Sequence, residues 1–205
     1  MAATAAAYDA VAARYTDFVR DELDHLPMDR ALLAAFAESV QAAGGGPVAE
    51  LGCGSGRITA HLQSLGLNVF GVDVSPTMIE VARSEYPGLR FEVGSMDALD
   101  LADGELAGIV SWYSVIHAAP EDLPAYFAEF SRTLALGGYL LVAFFESGGG
   151  PVAAFDHKVA PAFLWPIDDL TKQAREAQFA EVGRMLREPR DQERFCRGHL
   201  LLRRK

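Results

Sequence analysis

The sequence predicts an α/β fold: a doubly wound, mostly parallel sheet with helices on both faces. From residue 48 onward, short apolar stretches alternate with helical patterns, which is typical of βαβ crossovers and a parallel sheet. A glycine-rich turn joins the first apolar stretch to the helix after it. With 205 residues, 50% of them hydrophobic, the chain is long enough for one domain with a full core and too short for two.

Helices are predicted before the first strand. Residues 8–20 place apolar side chains three and four positions apart, which makes one face of a helix. A second helix is predicted from Asp29 to about Ala42, because three glycines and a proline follow it. We expect residues 1–45 to form helices that cap a site and residues 46–205 to form the binding domain, both within a single structural domain.

The remaining elements follow in chain order. The sequence predicts strands at 48–51, 68–72, 89–93, 107–112 and 139–145, and helices at 56–65, 75–84 and 121–134. Residues 152–166 lack a clear period, and we expect residues 147–166 to be an insertion that forms part of a pocket. A helix from about Ile167 to Ala177 then precedes two strands, at 180–187 and 194–203.

The turn after the first strand has the sequence ELGCGSGRIT, from Glu50 to Thr59. Gly52, Gly54 and Gly56 occupy alternate positions, so the strand turns into a helix with almost no side-chain bulk. Glycine lets the main chain approach a ligand closely, and the first N–H groups of the helix have no partner within the helix. The turn therefore predicts a site for a nucleotide-like molecule.

The spacing of the glycines indicates which kind of nucleotide-like ligand the turn binds. A dinucleotide site requires G-x-G-x-x-G with pyrophosphate at the helix N-terminus, but here the third glycine comes one residue early and Arg57 stands in its place. Glu50 adds negative charge near a loop that would have to receive an anion. A cationic ligand suits this loop better.

An acidic residue followed by G-x-G-x-G resembles motif I of the class I S-adenosylmethionine-dependent methyltransferases. Further segments match that family in order: GVDVSPTMIEVAR from Gly71, GSMDALDL from Gly94, IVSWYSVIHA from Ile109 and GGYLLVAFF from Gly137. The resemblance covers roughly residues 45–205. It implies a seven-stranded sheet whose last two strands form an antiparallel hairpin at the edge.

The resemblance also implies roles for individual residues. Asp73 would accept hydrogen bonds from the two ribose hydroxyls, and Asp97 would bind the adenine amino group with Met96 beside the base. Tyr8 and Tyr15 would line the site from the N-terminal helix, and Arg30 is a candidate for the cofactor's carboxylate. The cofactor-binding residues expected in all are Glu50, Gly52, Cys53, Gly54, Gly56, Asp73, Val74, Ser75, Met78, Ser95, Met96, Asp97, Ser111, Trp112, Tyr15 and Arg30.

Catalysis on an activated methyl donor requires mainly alignment and exclusion of water. If the acceptor is a hydroxyl, a base assists, and His117 just past the fourth strand is the candidate because an imidazole titrates near neutral pH. The residues expected to form the acceptor pocket are Tyr8, Tyr113, His157 and Trp165.

Composition limits the function further. A net charge of −10 and a pI near 4.9 disfavour a nucleic-acid partner, whose phosphates require basic surfaces. Cys53 and Cys196 show no metal-ligand spacing, so no metal is expected and a reduced cytoplasmic location is favoured. No leader and no membrane span are expected from the sequence.

We therefore expect a methyltransferase that uses S-adenosylmethionine, yields S-adenosylhomocysteine and acts on a small molecule through an oxygen, nitrogen or carbon nucleophile. Two alternatives stay open at this stage. A noncatalytic S-adenosylmethionine-binding regulator would carry the same motifs, and a nicotinamide-dependent oxidoreductase would use a related fold. The sequence does not specify the acceptor or the oligomeric state.

Overall fold

The computed structural model of the protein describes residues 2–191 and 193–205. In these ranges the strands are β1 (Pro47–Leu51), β2 (Asn68–Asp73), β3 (Arg90–Val93), β4 (Leu106–Trp112), β5 (Leu134–Phe145), β6 (Ala153–Phe155), β7 (Ala162–Leu164), β8 (Phe179–Arg187) and β9 (Arg197–Arg204). The helices there are α1 (Ala2–Asp9), α2 (Ala12–Val19), α3 (Pro27–Ala42), α4 (Arg57–Ser64), α5 (Pro76–Glu85), α6 (Leu123–Thr133) and α7 (Ile167–Glu176). Short 3-10 turns occur at Glu22–His25 and Val115–His117.

Within the described residues, seven of these strands form one sheet in the order β3-β2-β1-β4-β5-β9-β8. The first five are parallel, β9 runs antiparallel to β5, and β8 runs antiparallel to β9. The predicted doubly wound sheet and its C-terminal edge hairpin are confirmed. The strand order reverses between β1 and β4, and ligands of such sheets bind outside the carboxyl ends of the strands at this point.

Helices cover both faces of the sheet, which explains why the central strands are apolar throughout. Leu33 and Phe36 of α3 pack with Leu62 of α4 on one face. Phe127 and Phe130 of α6 and the apolar side of α7 pack on the other face. Because α3 belongs to this packing layer, the part of residues 1–45 that covers the sheet's carboxyl end is the α1–α2 pair.

Two stretches differ from the sequence prediction. The apolar face predicted for one helix over residues 8–20 is divided between α1 and α2, because the chain leaves helical geometry at Val11, where φ is −124°. The stretch at 152–166, for which no element was predicted, contains the antiparallel hairpin β6–β7. Strands of three residues are too short to produce a readable alternation.

Among the described residues, no helix combines the length and the apolar character needed to cross a bilayer.

Candidate functional site

A cavity lies at the carboxyl ends of β1, β2 and β4, beneath α1 and α2. Backbone of the glycine-rich turn forms its floor, and side chains from the two N-terminal helices form its roof. The lining residues are Thr4, Tyr8, Tyr15, Gly52, Gly54, Asp73, Val74, Met96, Trp112, Tyr113, Ser114 and His117. The structure thus brings together residues from six separate stretches of the chain, and all but two of these residues had been assigned to one site from the sequence.

The glycines of the turn have different structural roles. A β-carbon at Gly52, where φ is +76°, would lie 2.3 Å from the β-carbon of Ser114, so only glycine fits. Gly54 also has a positive φ, +52°, but a β-carbon there would meet nothing within 4 Å. Gly52 therefore permits close packing of β1 against β4, whereas Gly54 exposes bare backbone to the cavity.

Asp73 ends β2 and points its carboxylate toward the glycine-rich turn. One oxygen accepts a hydrogen bond from the N–H of Gly54 at 2.8 Å, and the other accepts one from the N–H of Ser75 at 2.9 Å. Burial raises the pKa of this carboxyl, while the two N–H donors oppose the rise. Each oxygen keeps a further lone pair, so the carboxylate can accept two more hydrogen bonds from a ligand in the cavity.

Glu50 lies one residue before the end of β1 and is 2% exposed. Its carboxyl accepts a hydrogen bond from the hydroxyl of Thr59 in α4. Burial raises its pKa to about 8, against the opposing hydrogen bond from Thr59. The structure therefore places Glu50 under the turn, as an anchor for α4, and outside the cavity lining.

The roof helix α1 is fastened at adjacent residues to both sides of the cavity. Asp9 accepts hydrogen bonds from the Ser75 hydroxyl at 2.5 Å and from the Thr77 N–H at 3.1 Å, at the start of α5. The Tyr8 hydroxyl lies 2.9 Å from Nε2 of His117, after β4. These contacts close α1 over the floor of the site.

Beyond His117, half-buried aromatic side chains continue the site away from the glycine-rich turn. We call Tyr113, Phe145, Phe155 and Phe195 the aromatic wall; consecutive ring centroids are 5.2, 5.3 and 4.9 Å apart. The ring of His157 lies 5.0 Å from that of His117 and 6.0 Å from that of Phe145. His157 thus separates the cavity from a surface depression formed by residues 155–161.

Tyr113 connects the site to a buried cluster of charges. It has a positive φ of 55°, an uncommon conformation for a bulky side chain, and its hydroxyl lies 3.3 Å from Nε2 of His199. Asp29 of α3, fully buried, lies 3.5 Å from the same nitrogen and 3.3 Å from Nε of Arg187. This cluster ties α3 to β8 and β9 behind the cavity.

Several residues expected in the site lie outside the cavity lining. Arg30 donates hydrogen bonds to the carbonyl oxygens of Leu23 and Asp24, so its guanidinium caps the 3-10 turn at Glu22–His25. Trp165 is 2% exposed, and its backbone N–H donates to the Phe145 carbonyl. The others are Glu50, Cys53, Gly56, Ser75, Met78, Ser95, Asp97, Ser111 and His157.

The residues that lie outside the cavity lining are held there by different local contacts. Gly56 packs against the Phe91 ring, and Cys53 is buried beside it. Ser75 caps α5 by accepting from the N–H of Met78. Asp97 is exposed and accepts from the hydroxyl of Ser95.

The sequence prediction missed two lining residues, Thr4 and Ser114. Ser114 donates to the Leu51 carbonyl at 2.6 Å and contacts the Ser111 hydroxyl. Its position directly after β4 could have indicated it, because strand ends meet at this edge. Thr4 lies in an alanine-rich stretch that carries no comparable signal.

The comparisons with known proteins agree with this geometry. Residues 48–138 match the model of a family described as a methyltransferase domain. A demethylmenaquinone methyltransferase of Beutenbergia cavernae is 32% identical over 171 residues, which are 83% of this chain and 70% of that protein. The chain belongs to the class I S-adenosylmethionine-dependent methyltransferases.

Two further methyltransferases show the range of similarity. N-demethylindolmycin N-methyltransferase of Streptomyces griseus is 33% identical over 101 residues, which are 47% of this chain and 43% of that protein. The structure of Burkholderia thailandensis 1,6-didemethyltoxoflavin-N1-methyltransferase with bound 1,6-didemethyltoxoflavin and S-adenosylhomocysteine has a TM-score of 0.69 at 23% identity, over 93% of this chain and 86% of that one. Against these two curated relatives, the chain spans between 43% and 70% of their length.

S-adenosylmethionine is the cofactor of this methyltransferase family, and the cavity fits it. Asp73 offers two free acceptor positions for vicinal hydroxyls, Gly54 leaves open space beside them, and Val74 and Met96 supply apolar surface for a base. In the described part of the chain, no group of three or more His, Cys, Asp or Glu side chains is arranged to hold a metal ion.

Proposed function

We propose that this methyltransferase transfers the methyl group of S-adenosylmethionine to a small molecule. The aromatic wall next to the cofactor cavity carries the proposal, because half-buried aromatic surface at such a position suits a small, largely apolar acceptor. The names of the relatives support it, since demethylmenaquinone, N-demethylindolmycin and 1,6-didemethyltoxoflavin are small molecules.

In this proposal, different residues of the cavity lining bind different parts of the cofactor. Asp73 holds the ribose hydroxyls, Met96 and Val74 contact the base, and the backbone of Gly52 and Gly54 borders the amino-acid portion. Tyr15 and Trp112 close the cavity from above and behind. The bound cofactor supplies a methyl group activated by a sulfonium; the protein orients the acceptor and excludes water.

The acceptor is proposed to lie between Tyr8 in α1 and the aromatic wall. Asp97, exposed beside Met96, stays available for the adenine amino group, as the family resemblance implies. His117 is proposed to be the group that finally holds the proton removed from the methyl acceptor. Burial lowers its pKa, so the imidazole is neutral near pH 7 and able to take a proton.

The acidic composition supports an acceptor that is not a nucleic acid, because a polyanion would be repelled. Cys53 and Cys196 are free thiols, which supports a reducing, cytoplasmic location.

Calorimetry and label transfer test the proposed function. We expect S-adenosylmethionine and S-adenosylhomocysteine to compete for one site and NAD to give no heat. With a methyl-labelled donor and a panel of small phenols, hydroquinones and aromatic amines, we expect label in at least one of these small molecules and none in tRNA or protein pools. Binding without transfer to any acceptor supports a regulator instead, and label in a macromolecule alone contradicts the small-molecule acceptor.

A further inference from the structure

The protonation state of the Tyr8–His117 pair follows from its hydrogen bonds. Nδ1 of His117 lies 2.8 Å from the carbonyl oxygen of Pro161. A carbonyl oxygen can only accept, so Nδ1 carries the hydrogen. In the neutral ring, Nε2 is then an acceptor, and the Tyr8 hydroxyl, 2.9 Å away, donates to it.

This arrangement means that Nε2 is already occupied. Tyr8 and His117 both line the cavity. Because Nε2 of His117 is bonded to the Tyr8 hydroxyl and Nδ1 to the Pro161 carbonyl, the phenolic oxygen is the atom of the pair that can still accept a hydrogen bond from a methyl acceptor in the cavity. That oxygen uses its hydrogen for His117 and also has the Tyr15 side chain as a hydrogen-bond partner, so one of its two lone pairs remains for the methyl acceptor.

We infer that Tyr8 is the catalytic residue that takes the proton of the methyl acceptor and passes its own proton to His117, and that the acceptor is therefore a hydroxyl compound. The inference rests on the proposed methyltransferase function and specifies its substrate class. A hydroxyl needs to lose its proton to become a strong nucleophile, whereas a neutral amine already has a free lone pair. A proton relay at this position therefore assists a hydroxyl compound far more than a neutral amine.

The step balances. The O–H bond of the acceptor breaks and its proton goes to Tyr8 Oη, while the Tyr8 proton moves to Nε2 of His117. The acceptor oxygen forms its bond to the methyl carbon as the carbon–sulfur bond of the donor breaks, and that electron pair stays on sulfur. His117, now cationic, releases a proton to water.

The two proton movements are concerted, because burial raises the pKa of Tyr8 and a free phenolate there is unfavourable. The titratable groups that face the pair are Tyr15 on α2, Asp73 at the end of β2 and His157 in the hairpin segment. Burial and the neighbouring His117 lower the pKa of His157 to about 4, so it stays neutral and does not supply the proton.

The relay is assembled from three distant segments. Tyr8 is held by its neighbour Asp9, which is bonded to α5. The carbonyl of Pro161, which sets the tautomer of His117, belongs to the segment that precedes β7. The base is therefore complete only when both α1 and the β6–β7 hairpin are docked on the sheet, which couples proton removal to closure of the site.

The decisive kinetic test compares hydroxyl acceptors of different acidity. Tyr8→Phe and His117→Asn should each lower kcat for an un-ionised phenol or naphthol by about 100-fold or more. The double variant should be no slower than either single one, because the two residues act as a unit. For a nitrophenol ionised in solution, the loss should shrink to a few-fold, and the acid limb of the wild-type pH–rate profile should vanish in His117→Asn.

Matched controls and a second readout distinguish a proton relay from a purely structural contact between Tyr8 and His117. Tyr139→Phe and His61→Asn, both remote from the cavity, should leave kcat unchanged, and calorimetry with S-adenosylhomocysteine should give a Kd within about threefold in Tyr8→Phe. NMR of ¹⁵N-histidine protein with S-adenosylhomocysteine should show His117 neutral at pH 7 with Nδ1 protonated.

Three results overturn the relay. One is a His117 that is charged or protonated on Nε2 at pH 7. Another is a Tyr8→Phe loss equal for ionised and un-ionised acceptors. The third is a label screen in which amines accept methyl groups and hydroxyl compounds do not. In these cases cofactor binding and the methyltransferase function still stand, whereas absent cofactor binding would contradict the proposed function itself.

Discussion

The carboxylate of Asp9 accepts a 2.5 Å hydrogen bond from the hydroxyl of Ser75, which joins the end of α1 to the start of α5. Ser75 also caps α5 and donates its N–H to Asp73. The roof of the cavity and the carboxylate proposed to hold the ribose are thus linked through one serine. Opening of α1 and release of the ribose are expected to be coupled.

Asp9→Ala should speed the dissociation of S-adenosylhomocysteine several-fold, because α1 loses both hydrogen bonds to α5. Asp9→Asn, which keeps an acceptor oxygen, should have a smaller effect. Stopped-flow fluorescence of Trp112, in the cavity lining, measures the rate. The exposed Asp100→Ala serves as control and should not change it.

The closure of α1 should also resist mild acid. The hydrogen bond from Ser75, followed by that from Thr77, lowers the pKa of Asp9 below its ordinary value of 3.8. A depressed carboxyl pKa contributes stability above the ordinary value, and this contribution is lost only as the pH falls through the lowered value. The ratio of the dissociation rate of Asp9→Asn to that of the wild type should therefore stay constant between pH 7 and 5. A change of this ratio in that window would contradict the role given to Asp9.

Asp73→Ala should weaken S-adenosylmethionine binding at least tenfold. The ribose hydroxyls lose a charged acceptor, and hydrogen bonds to charged groups contribute about 1.5 to 3 kcal/mol. Calorimetry gives the Kd, and circular dichroism checks that the domain stays folded. An unchanged Kd would mean that the ribose lies elsewhere.

Glu50→Gln should remove a pH dependence of stability. The folded-state pKa is raised from the ordinary 4.5 to about 8, so between these values the native state holds a proton that the unfolded state releases. The free energy of unfolding should therefore fall as the pH rises from about 4.5 to about 8. Gln keeps an acceptor for Thr59 but cannot ionise, so urea unfolding of the variant should lack this slope.

A matched exposed carboxyl gives the control. Glu121→Gln, on the surface before α6, should unfold with the wild-type pH dependence. If Glu50→Gln does the same, then Glu50 is ionised in the folded protein and the argument from burial fails.

Phe155→Ala should raise the acceptor KM about two- to twelvefold, the equivalent of the 0.5 to 1.5 kcal/mol that aromatic pairs contribute. The affinity for S-adenosylhomocysteine should not change, because Phe155 lies outside the cofactor cavity. Phe18→Ala is the matched control: that ring is 81% exposed and outside the aromatic wall, so its loss should leave both constants as they are.

Asp29→Ala should destabilise the fold by about 3 kcal/mol, since removing one partner of a buried ion pair leaves an uncompensated charge. The bidentate contact of Arg187 with Glu193 keeps the cost near the lower end of the range for such pairs. Replacing both partners, Asp29→Leu with Arg187→Met, should recover most of the loss. Urea unfolding of the single and double variants measures it; a double variant as unstable as the single one would contradict this explanation.

The sheet could be predicted from the sequence because each of its features has a local cause. The glycine-rich turn requires a strand before it and a helix after it, and Asp73 ends a buried strand, so its position at the ligand edge follows from topology. Asp73 and Gly54 are accordingly found together, 2.8 Å apart.

The direction in which the Glu50 side chain points could not be predicted from the sequence. Its strand is buried on both faces, so apolar alternation does not reveal which face a residue takes. The structure turns Glu50 toward Thr59 in α4 and away from the cavity. The position of the Arg30 side chain could not be predicted either. Its partners are backbone carbonyl oxygens, and no pattern of side chains in the sequence indicates such a contact.

The contact between Tyr8 and His117 lies beyond sequence reasoning altogether, because it spans 109 positions along the chain. Both residues could be proposed separately as site residues. Their pairing depends on how α1 crosses the sheet, which is set by the Asp9 contacts and not by any property of the two residues themselves.

The segment that contains the hairpin β6–β7 is anchored at its far end, where Nδ1 of His117 contacts the Pro161 carbonyl and the backbone N–H of Trp165 donates to the Phe145 carbonyl. Residues 148–160 contribute Phe155 and His157 to the acceptor side and nothing to the lining of the cofactor cavity. Under the proposed function, acceptor specificity and cofactor binding are therefore encoded in separable stretches of sequence. Grafting a different hairpin between the same two anchors is a route to new acceptors that leaves the cofactor half of the enzyme untouched.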